Sequence, residues 1–127
     1  MIHNLYQETL MDHYRNPRNR GAIPNPDFSS GVYNPSCGDA ISMEGIIAEG
    51  AIRQLVFEGK GCVISQASAS LLTQKVMGYT IHDVTALDTP FMQSLVGMSL
   101  GPTRLTCALL PLQALQDGLK KYTQTKG

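Results

Sequence analysis

Residues 41–58 read ISMEGIIAEGAIRQLVFE, and this stretch decides the fold. From Ile41 to Ile46, apolar side chains first alternate with polar ones, and the chain then stays apolar through Ala48. Alternation is typical of a strand with one buried face, and Ile52 to Glu58 has the composition of a second strand. Because Glu49-Gly50 between them suits a tight turn, the stretch predicts an antiparallel hairpin.

Upstream of the hairpin, the sequence predicts a helix, an irregular segment and one more strand. Leu5 to Tyr14 spaces its apolar and aromatic side chains three to four residues apart, which is typical of an amphipathic helix. The helix should end before Asn16-Pro17, because a proline disfavours helical geometry in the preceding residue. Residues 16–31 are rich in Pro, Asn, Gly and Arg and predict an irregular surface segment. Val32-Tyr33 then begins a strand that ends at the turn Asn34-Pro35-Ser36.

Downstream of Gly59-Lys60-Gly61 the sequence changes to a helical pattern. Ser65 is a good N-cap and Gly78 a good C-terminal stop for the first of these helices. Thr80 to Asp83 resembles a capping box and opens a second helical stretch. A further short helix is predicted over residues 91–96.

The last predicted helix has an apolar face that carries Leu109, Leu112, Leu115 and Leu119. Pro111 lacks a backbone donor and is therefore expected in the first turn or at a kink. A run of strands followed by a run of helices is typical of the α+β class. We therefore predict one domain, residues 1–127, with a three-stranded antiparallel sheet and the helices packed on one face.

The composition narrows the functional classes. The chain has 127 residues, of which 43% are apolar and 16% charged, as in a small globular domain. Lys plus Arg equals Asp plus Glu at 10 each, so no excess positive charge is available to attract nucleic acid. No apolar run approaches the roughly 18 residues of a membrane span, and residues 1–5 lack the features of a secretory signal. We therefore expect a cytoplasmic protein that binds neither nucleic acid nor membrane.

The three cysteines carry the chemistry that the sequence suggests. An odd number does not fit a disulfide framework. Cys37, Cys62 and Cys107 each lie beside a predicted element boundary, and with Asp39 they form the pattern C-x-D-x22-C-x44-C. Free cysteines are often small buried hydrophobes, but the turn-rich sequence around Cys37 and Cys62 favours a functional site.

Three thiolates and one carboxylate make a set of four ligands. Such a set suits tetrahedral Zn²⁺ and also a [2Fe–2S] cluster. Asp39 is a harder and weaker partner for a soft metal than a thiolate is, so it would make the site easier to open. The alternative is that Asp39 is only a turn residue that caps its neighbours. Cys62 precedes a predicted helix, whose positive dipole end stabilises a thiolate.

Several motifs together resemble one known family over nearly the whole chain. The sequence resembles the IscU/NifU N-terminal/SufU family of iron–sulfur cluster assembly proteins, and the motifs that carry the resemblance are Leu5-Tyr6, His13–Asn19, Asn34–Asp39, Gly61-Cys62 with Ser65–Ser70, and Arg104–Ala108. The resemblance implies an antiparallel three-stranded sheet with helices on one face. It also implies that the ligands of the zinc, iron or cluster are Cys37, Asp39, Cys62 and Cys107.

The partners and the mode of action also follow from the resemblance. A pyridoxal-phosphate cysteine desulfurase would deliver sulfur, and apo iron–sulfur proteins would receive the product. The protein would act as a monomer or weak homo-oligomer, and as a scaffold or sulfur acceptor rather than as a turnover enzyme. His13, within the family's N-terminal motif, is expected to have a packing or docking role. Arg15, Arg18 and Arg20 form a small basic cluster that is either a solvated face or a desulfurase contact.

The chain mixes features of two branches of this family. The IscU branch has a His before the last Cys and a Leu-Pro-Pro-Val-Lys stretch that an Hsp70 chaperone reads. Here Thr106 precedes Cys107, and residues 100–104 read LGPTR. The zinc-dependent SufU branch is similar at Gly59–Ser65 and at Arg104-x-x-Cys107, but it carries an insertion before the last Cys that this chain lacks.

The branches imply different sulfur acceptors, Cys107 in the IscU mode and Cys37 in the SufU mode. Three functions therefore stay open. The first is a sulfur-accepting scaffold and the second a SufU-type zinc-dependent sulfurtransferase. The third is a structural zinc module for protein interaction. A thiol oxidoreductase ranks below these because the chain has no C-x-x-C motif.

Overall fold

The computed structural model describes residues 2–36 and 38–126, and it describes side chains for residues 7–36 and 38–125. The elements, in chain order, are α1 (Ile2–Arg15), β1 (Phe28–Asn34), β2 (Asp39–Ala48), β3 (Ala51–Lys60), α2 (Val63–Lys75), α3 (Ile81–Thr85), α4 (Thr89–Val96) and α5 (Pro102–Lys126). The strands form one antiparallel sheet in the order β1-β2-β3. The predicted α+β architecture is confirmed.

The β2–β3 hairpin turns at the predicted position. Glu49 has φ 55° and Gly50 has φ 76°, and positive φ at both central residues is what a type I′ hairpin turn requires. One face of the hairpin is buried, with side chains no more than 1% exposed: Ile41, Met43, Ile52, Leu55 and Phe57.

Helices α2 and α5 cover this buried face of the sheet. Leu112, Leu115 and Leu119 of α5 are buried in the core as predicted, and Leu109 is half-buried at its edge. Gly118 lets α5 approach β1, because a Cβ there would lie 2.6 Å from the Phe28 ring. Within the described residues, no helix is both long and apolar enough to cross a membrane.

Several boundaries differ from the sequence-based prediction. Strand β1 begins at Phe28 rather than Val32, because residues 28–31 pair with β2 although Ser29, Ser30 and Gly31 are small. Helix α2 begins after Cys62, so the predicted N-cap at Ser65 is wrong. Helix α5 begins at Pro102, so the first-turn placement of Pro111 is also wrong. Pro102 suits a helix start, where the missing N–H would be unpaired in any case.

Two predicted helix starts are near their expected places. The Thr80 hydroxyl accepts a hydrogen bond from the Asp83 N–H at 3.0 Å, which confirms the cap of α3. Helix α4 starts at Thr89, two residues before the predicted start, because the Asp88 carboxylate caps it by accepting from the Phe91 N–H at 3.1 Å.

A buried histidine joins α1 to α2. His13 is 6% exposed, and its Nδ1 lies 2.7 Å from the Ser70 hydroxyl, which also accepts the Arg18 N–H at 2.8 Å. Burial, followed by the nearby Arg18 guanidinium, lowers the pKa of His13, although the Asp12 carboxylate opposes this. The packing role expected for His13 is therefore confirmed.

The segment between α1 and β1 follows the edge of the sheet. The Gly21 N–H donates to the Phe57 carbonyl at 3.0 Å, and the Phe57 N–H donates to the Asn19 carbonyl at 2.9 Å. Arg18 pairs with Asp12, and Arg20 pairs with Glu58. Two of the three arginines in the predicted basic cluster therefore already have carboxylate partners.

Candidate metal centre

Three separate elements meet at one end of the sheet and bring their polar residues together. Asp39 is the first residue of β2, Cys62 is the N-cap of α2, and Cys107 lies in the second turn of α5. One carboxylate oxygen and the two sulfur atoms all lie within 4.8 Å of one another. In the described part of the chain, no other group of three His, Cys, Asp or Glu side chains is placed to hold a metal ion.

The fourth predicted ligand, Cys37, lies outside the described residues. Its ligand role stays a prediction, as does the ligand role of the other three residues. The described turn around it is held by the Gly38 N–H, which donates to the Asn34 carbonyl at 2.8 Å. Ser36 and Asn34 line one small cavity together with Thr106 of α5. The turn and the start of α5 are therefore neighbours.

The Asp39 carboxylate is fully buried and held across the chain by Cys62. Asp39 Oδ1 accepts the Cys62 backbone N–H at 2.8 Å, and the Cys62 thiol donates to Oδ2 at 3.3 Å. These contacts span 23 positions of sequence, so Asp39 does more than cap its own turn. The backbone bond fixes one oxygen and leaves the other directed at a thiol sulfur.

Gly61 makes room for that carboxylate. Its φ is +131°, and a Cβ at this position would overlap Asp39 Oδ1 and lie 2.7 Å from Asp39 Cγ. Glycine is the residue that tolerates both the backbone conformation and the close approach. The sequence analysis used Gly61 only as a sign of a turn, and no local pattern indicated its contact with Asp39.

The two described cysteines differ in environment. Cys62 is exposed and Cys107 is 4% exposed. Cys62 lies at the N-terminus of α2, where unpaired backbone N–H groups and the helix dipole stabilise negative charge. Cys107 lies one helical turn beyond Arg104, whose side chain is exposed.

A cavity of about 610 Å³ is lined by both cysteines, Cys62 and Cys107. It lies between α1, α2 and the start of α5, and besides the two cysteines its lining includes Leu10, Met11, Ile64, Met98 and Arg104. The walls are mostly apolar, and one cation is present. The sequence analysis did not predict this cavity, because its walls come from segments far apart in the chain.

Thr106 occupies the position before Cys107. Its hydroxyl donates to the Pro102 carbonyl at 3.0 Å within α5, and the residue is exposed. A threonine hydroxyl used in this way does not replace the imidazole that the IscU branch has at this position. The described side chains next to Cys107 in sequence therefore add no nitrogen ligand.

The fold and the site together define a class: a small α+β domain with one carboxylate and cysteine thiols gathered at one end of its sheet. Residues 5–127 match the family described as NifU-like N terminal domain. The chain belongs to this family.

Known relatives carry names from both branches. The chain is 34% identical to the zinc-dependent sulfurtransferase SufU of Bacillus subtilis (strain 168), over 94% of this chain and 92% of that protein. It is 32% identical to the iron-sulfur cluster assembly scaffold protein IscU of Buchnera aphidicola subsp. Schizaphis graminum, over 95% of this chain and 96% of that protein.

Solved structures share the fold. The SUF-system protein FiSufU from Fervidobacterium islandicum AW-1 superposes with a TM-score of 0.76 at 26% identity, over 92% of this chain and 98% of that one. The N-terminal part of a NifU-like protein from Brucella abortus has a TM-score of 0.78 at 21% identity, over 97% of each chain, and supports the fold alone. The predicted family and sheet architecture are therefore confirmed.

Proposed function

We propose that this protein accepts persulfide sulfur from a cysteine desulfurase and holds zinc or a nascent [2Fe–2S] cluster for transfer to apo-proteins. The proposed ligands are Cys37, Asp39, Cys62 and Cys107. The observation that carries the proposal is the convergence of Asp39, Cys62 and Cys107 from three separate elements, with their donor atoms within 4.8 Å of one another.

The distances and the donor types fit a metal. Tetrahedral Zn²⁺ with bonds of about 2.3 Å to sulfur places neighbouring ligand atoms about 3.8 Å apart. The Cys62 sulfur and Asp39 Oδ2 are already 3.3 Å apart, and the spread of the three donors is at most 4.8 Å. Small side-chain rotations would therefore suffice to close the site around an ion. A bound metal would keep the cysteine thiols deprotonated and separated from one another.

Asp39 would make the site exchangeable. One of its oxygens accepts the Cys62 N–H, which favours binding of a metal through a single carboxylate oxygen. A single carboxylate oxygen binds a soft metal more weakly than a thiolate does. The Asp39 bond is therefore expected to be the first to open when sulfur enters or a cluster leaves.

The sulfur-transfer step needs a thiolate of this protein and a persulfide of the donor. The thiolate attacks the outer sulfur of the donor persulfide, a new S–S bond forms, and the original S–S bond breaks. The donor cysteine leaves as a thiolate, and the persulfide now belongs to this protein, with no net oxidation. Cys37 and Cys107 are the two proposed acceptors.

A SufU-type zinc-dependent sulfurtransferase is the second candidate function. The similarity to Bacillus subtilis SufU over 94% of the chain favours it. So does Thr106, because its hydroxyl bonds within α5 and supplies no imidazole ligand. A structural zinc module for protein interaction is the third candidate.

Anaerobic incubation with a cysteine desulfurase and cysteine, with and without Fe²⁺, distinguishes these functions. Mass spectrometry locates persulfide, metal analysis measures zinc, and visible absorption detects a cluster. A cluster supports the scaffold, and persulfide with retained zinc but no cluster supports the sulfurtransferase. Bound zinc alone supports the structural module, and the absence of persulfide, cluster and metal refutes all three. Cys37→Ser and Cys107→Ser identify the acceptor.

A further inference from the structure

We propose that Ser65 and Gln66 position the Cys62 sulfur in the metal-loaded site. The Ser65 hydroxyl is its hydrogen-bond donor, and the Gln66 amide holds that hydroxyl in place. The inference rests on the proposed binding of a metal by Asp39, Cys62 and Cys107. Neither residue belongs to the proposed ligand set.

Ser65 lies next to the sulfur and is completely buried. Its Oγ is 3.9 Å from Cys62 Sγ and 3.1 Å from the Cys62 carbonyl oxygen. Because Ser65 follows Cys62 by three residues in the first turn of α2, the helix itself keeps the hydroxyl and the sulfur close together.

The hydrogen bonds around Ser65 allow its hydroxyl hydrogen to turn from the Cys62 carbonyl to the Cys62 sulfur. Ser65 Oγ accepts from Gln66 Nε2 at 3.3 Å, and the Cys62 thiol at 3.9 Å is a donor to the same oxygen whenever its hydrogen is not directed at Asp39, so the hydroxyl is an acceptor in the metal-free state and still retains its own hydrogen to donate. That hydrogen now points to the Cys62 carbonyl, which also accepts the Gln66 backbone N–H at 3.3 Å. Rotation of the hydroxyl toward the sulfur would therefore leave the carbonyl with a donor.

Metal binding would change the Cys62 sulfur from a hydrogen-bond donor to a hydrogen-bond acceptor. In the metal-free state the thiol donates its proton to Asp39 Oδ2 at 3.3 Å. With a metal held in place of that proton, the Cys62 sulfur would be a hydrogen-bond acceptor and the Asp39 carboxylate would be a ligand. Several anionic ligands then surround a divalent ion, and nearby donors are needed to offset the excess charge. The Ser65 hydroxyl is the buried donor closest to this sulfur among the contacts described.

Gln66 is otherwise difficult to explain. It is 6% exposed in a helix stretch whose next four residues are Ala67, Ser68, Ala69 and Ser70. Its Oε1 is buried and has no hydrogen-bond partner, and an unpaired buried polar atom costs about 1–3 kcal/mol. Gly59 of β3 lies beside the amide: a Cβ there would lie 3.3 Å from Gln66 Nε2, and it would lie closer still, at 2.6 Å, to the Ala40 carbonyl oxygen. The Gln66 amide donates to Ser65 Oγ although its own oxygen is unpaired, which supports a role in holding Ser65.

The test is metal affinity and spectroscopy of substituted proteins. Ser65→Ala is expected to weaken Zn²⁺ binding about tenfold in competition with a chelator, the usual effect of losing a hydrogen bond to a ligand. With Co²⁺ in the site, the sulfur-to-metal charge-transfer absorption should shift to longer wavelength, because the sulfur loses a donor. Gln66→Met keeps the side-chain volume and removes the amide. This variant should also weaken Zn²⁺ binding and move the charge-transfer absorption to longer wavelength, and each change should be smaller than in Ser65→Ala.

Two further variants separate positioning from folding. Ser65→Thr keeps the hydroxyl and should restore the spectrum. Ser68→Ala is the matched control, because Ser68 Oγ is buried in the same helix and has no hydrogen-bond partner. It should leave affinity and spectrum unchanged. If Ser65→Ala binds Zn²⁺ and absorbs like Ser68→Ala, the inference is overturned while the proposed metal site stands. If the unsubstituted protein binds neither Zn²⁺ nor Co²⁺, the proposed metal site falls as well.

Discussion

Replacing Gly61 by alanine tests whether close packing against Asp39 holds the site together. The new Cβ would overlap Asp39 Oδ1, so the carboxylate must move away and its bond from the Cys62 N–H must break. A hydrogen bond to a charged group contributes about 1.5–3 kcal/mol. Alanine at φ +131° adds backbone strain of about 1–3 kcal/mol.

Together these effects predict a loss of about 2.5–6 kcal/mol in the free energy of unfolding. Domains of similar size unfold at about 5–15 kcal/mol, so the loss is a large part of the total. At about 3–6 °C per kcal/mol, the metal-free protein should melt roughly 8–36 °C lower. The Zn²⁺ affinity should fall as well, because the displaced carboxylate would move away from the sulfur atoms of Cys62 and Cys107.

Gly21→Ala is the matched control for Gly61→Ala. Gly21 has φ +153°, and nothing lies within 4 Å of a Cβ built there, so this variant has the backbone strain without the overlap. Thermal unfolding of both variants by circular dichroism, with and without Zn²⁺, separates the two causes. The reasoning is refuted if Gly61→Ala loses no more stability than Gly21→Ala and keeps the original Zn²⁺ affinity.

Three further changes test other parts of the site and fold. Asp39→Ala should lengthen the lifetime of a reconstituted cluster, measured by its visible absorption, and should destabilise the metal-free protein by about 2 kcal/mol through loss of a charged hydrogen bond; a shorter cluster lifetime would contradict the proposed labile ligand. The pKa of His13 is lower in the folded protein than in the unfolded chain. As the pH falls, the imidazole of the unfolded chain therefore binds a proton first. The free energy of unfolding should keep its full value above pH 6.5 and decrease as the pH falls below 6.5. His13→Gln should remove this slope in denaturant titrations, whereas the lowered pKa of Asp12 acts only below its ordinary value of 3.8. Zn²⁺ at about a thousand times its dissociation constant should stabilise the protein by about 4 kcal/mol, and Cys107→Ser should reduce this gain in the same melting assay.

The parts of the fold that depend on local pattern were predictable from the sequence. The hairpin turn at Glu49-Gly50 and the cap at Thr80 follow from residues that are neighbours in the chain. The start of β1 at Phe28 was not predictable, because Ser29 and Ser30 join the sheet through pairing with β2 and not through their own propensity. The start of α2 was misplaced because Ser65 looks like a cap, but its hydroxyl instead bonds back to the Cys62 carbonyl.

By itself, the sequence determined the donor types of the site, their order and the family that their motifs indicate. It also determined the strands and helices that carry them, because alternation and capping are local properties. Only the tertiary structure decided that Asp39, Cys62 and Cys107 meet within 4.8 Å. It also decided that Gly61 must leave space for a carboxylate and that Ser65 lies beside a sulfur atom. The physical reason is that these contacts depend on how the sheet, α2 and α5 pack, and packing brings together side chains whose separation in the chain carries no local signal.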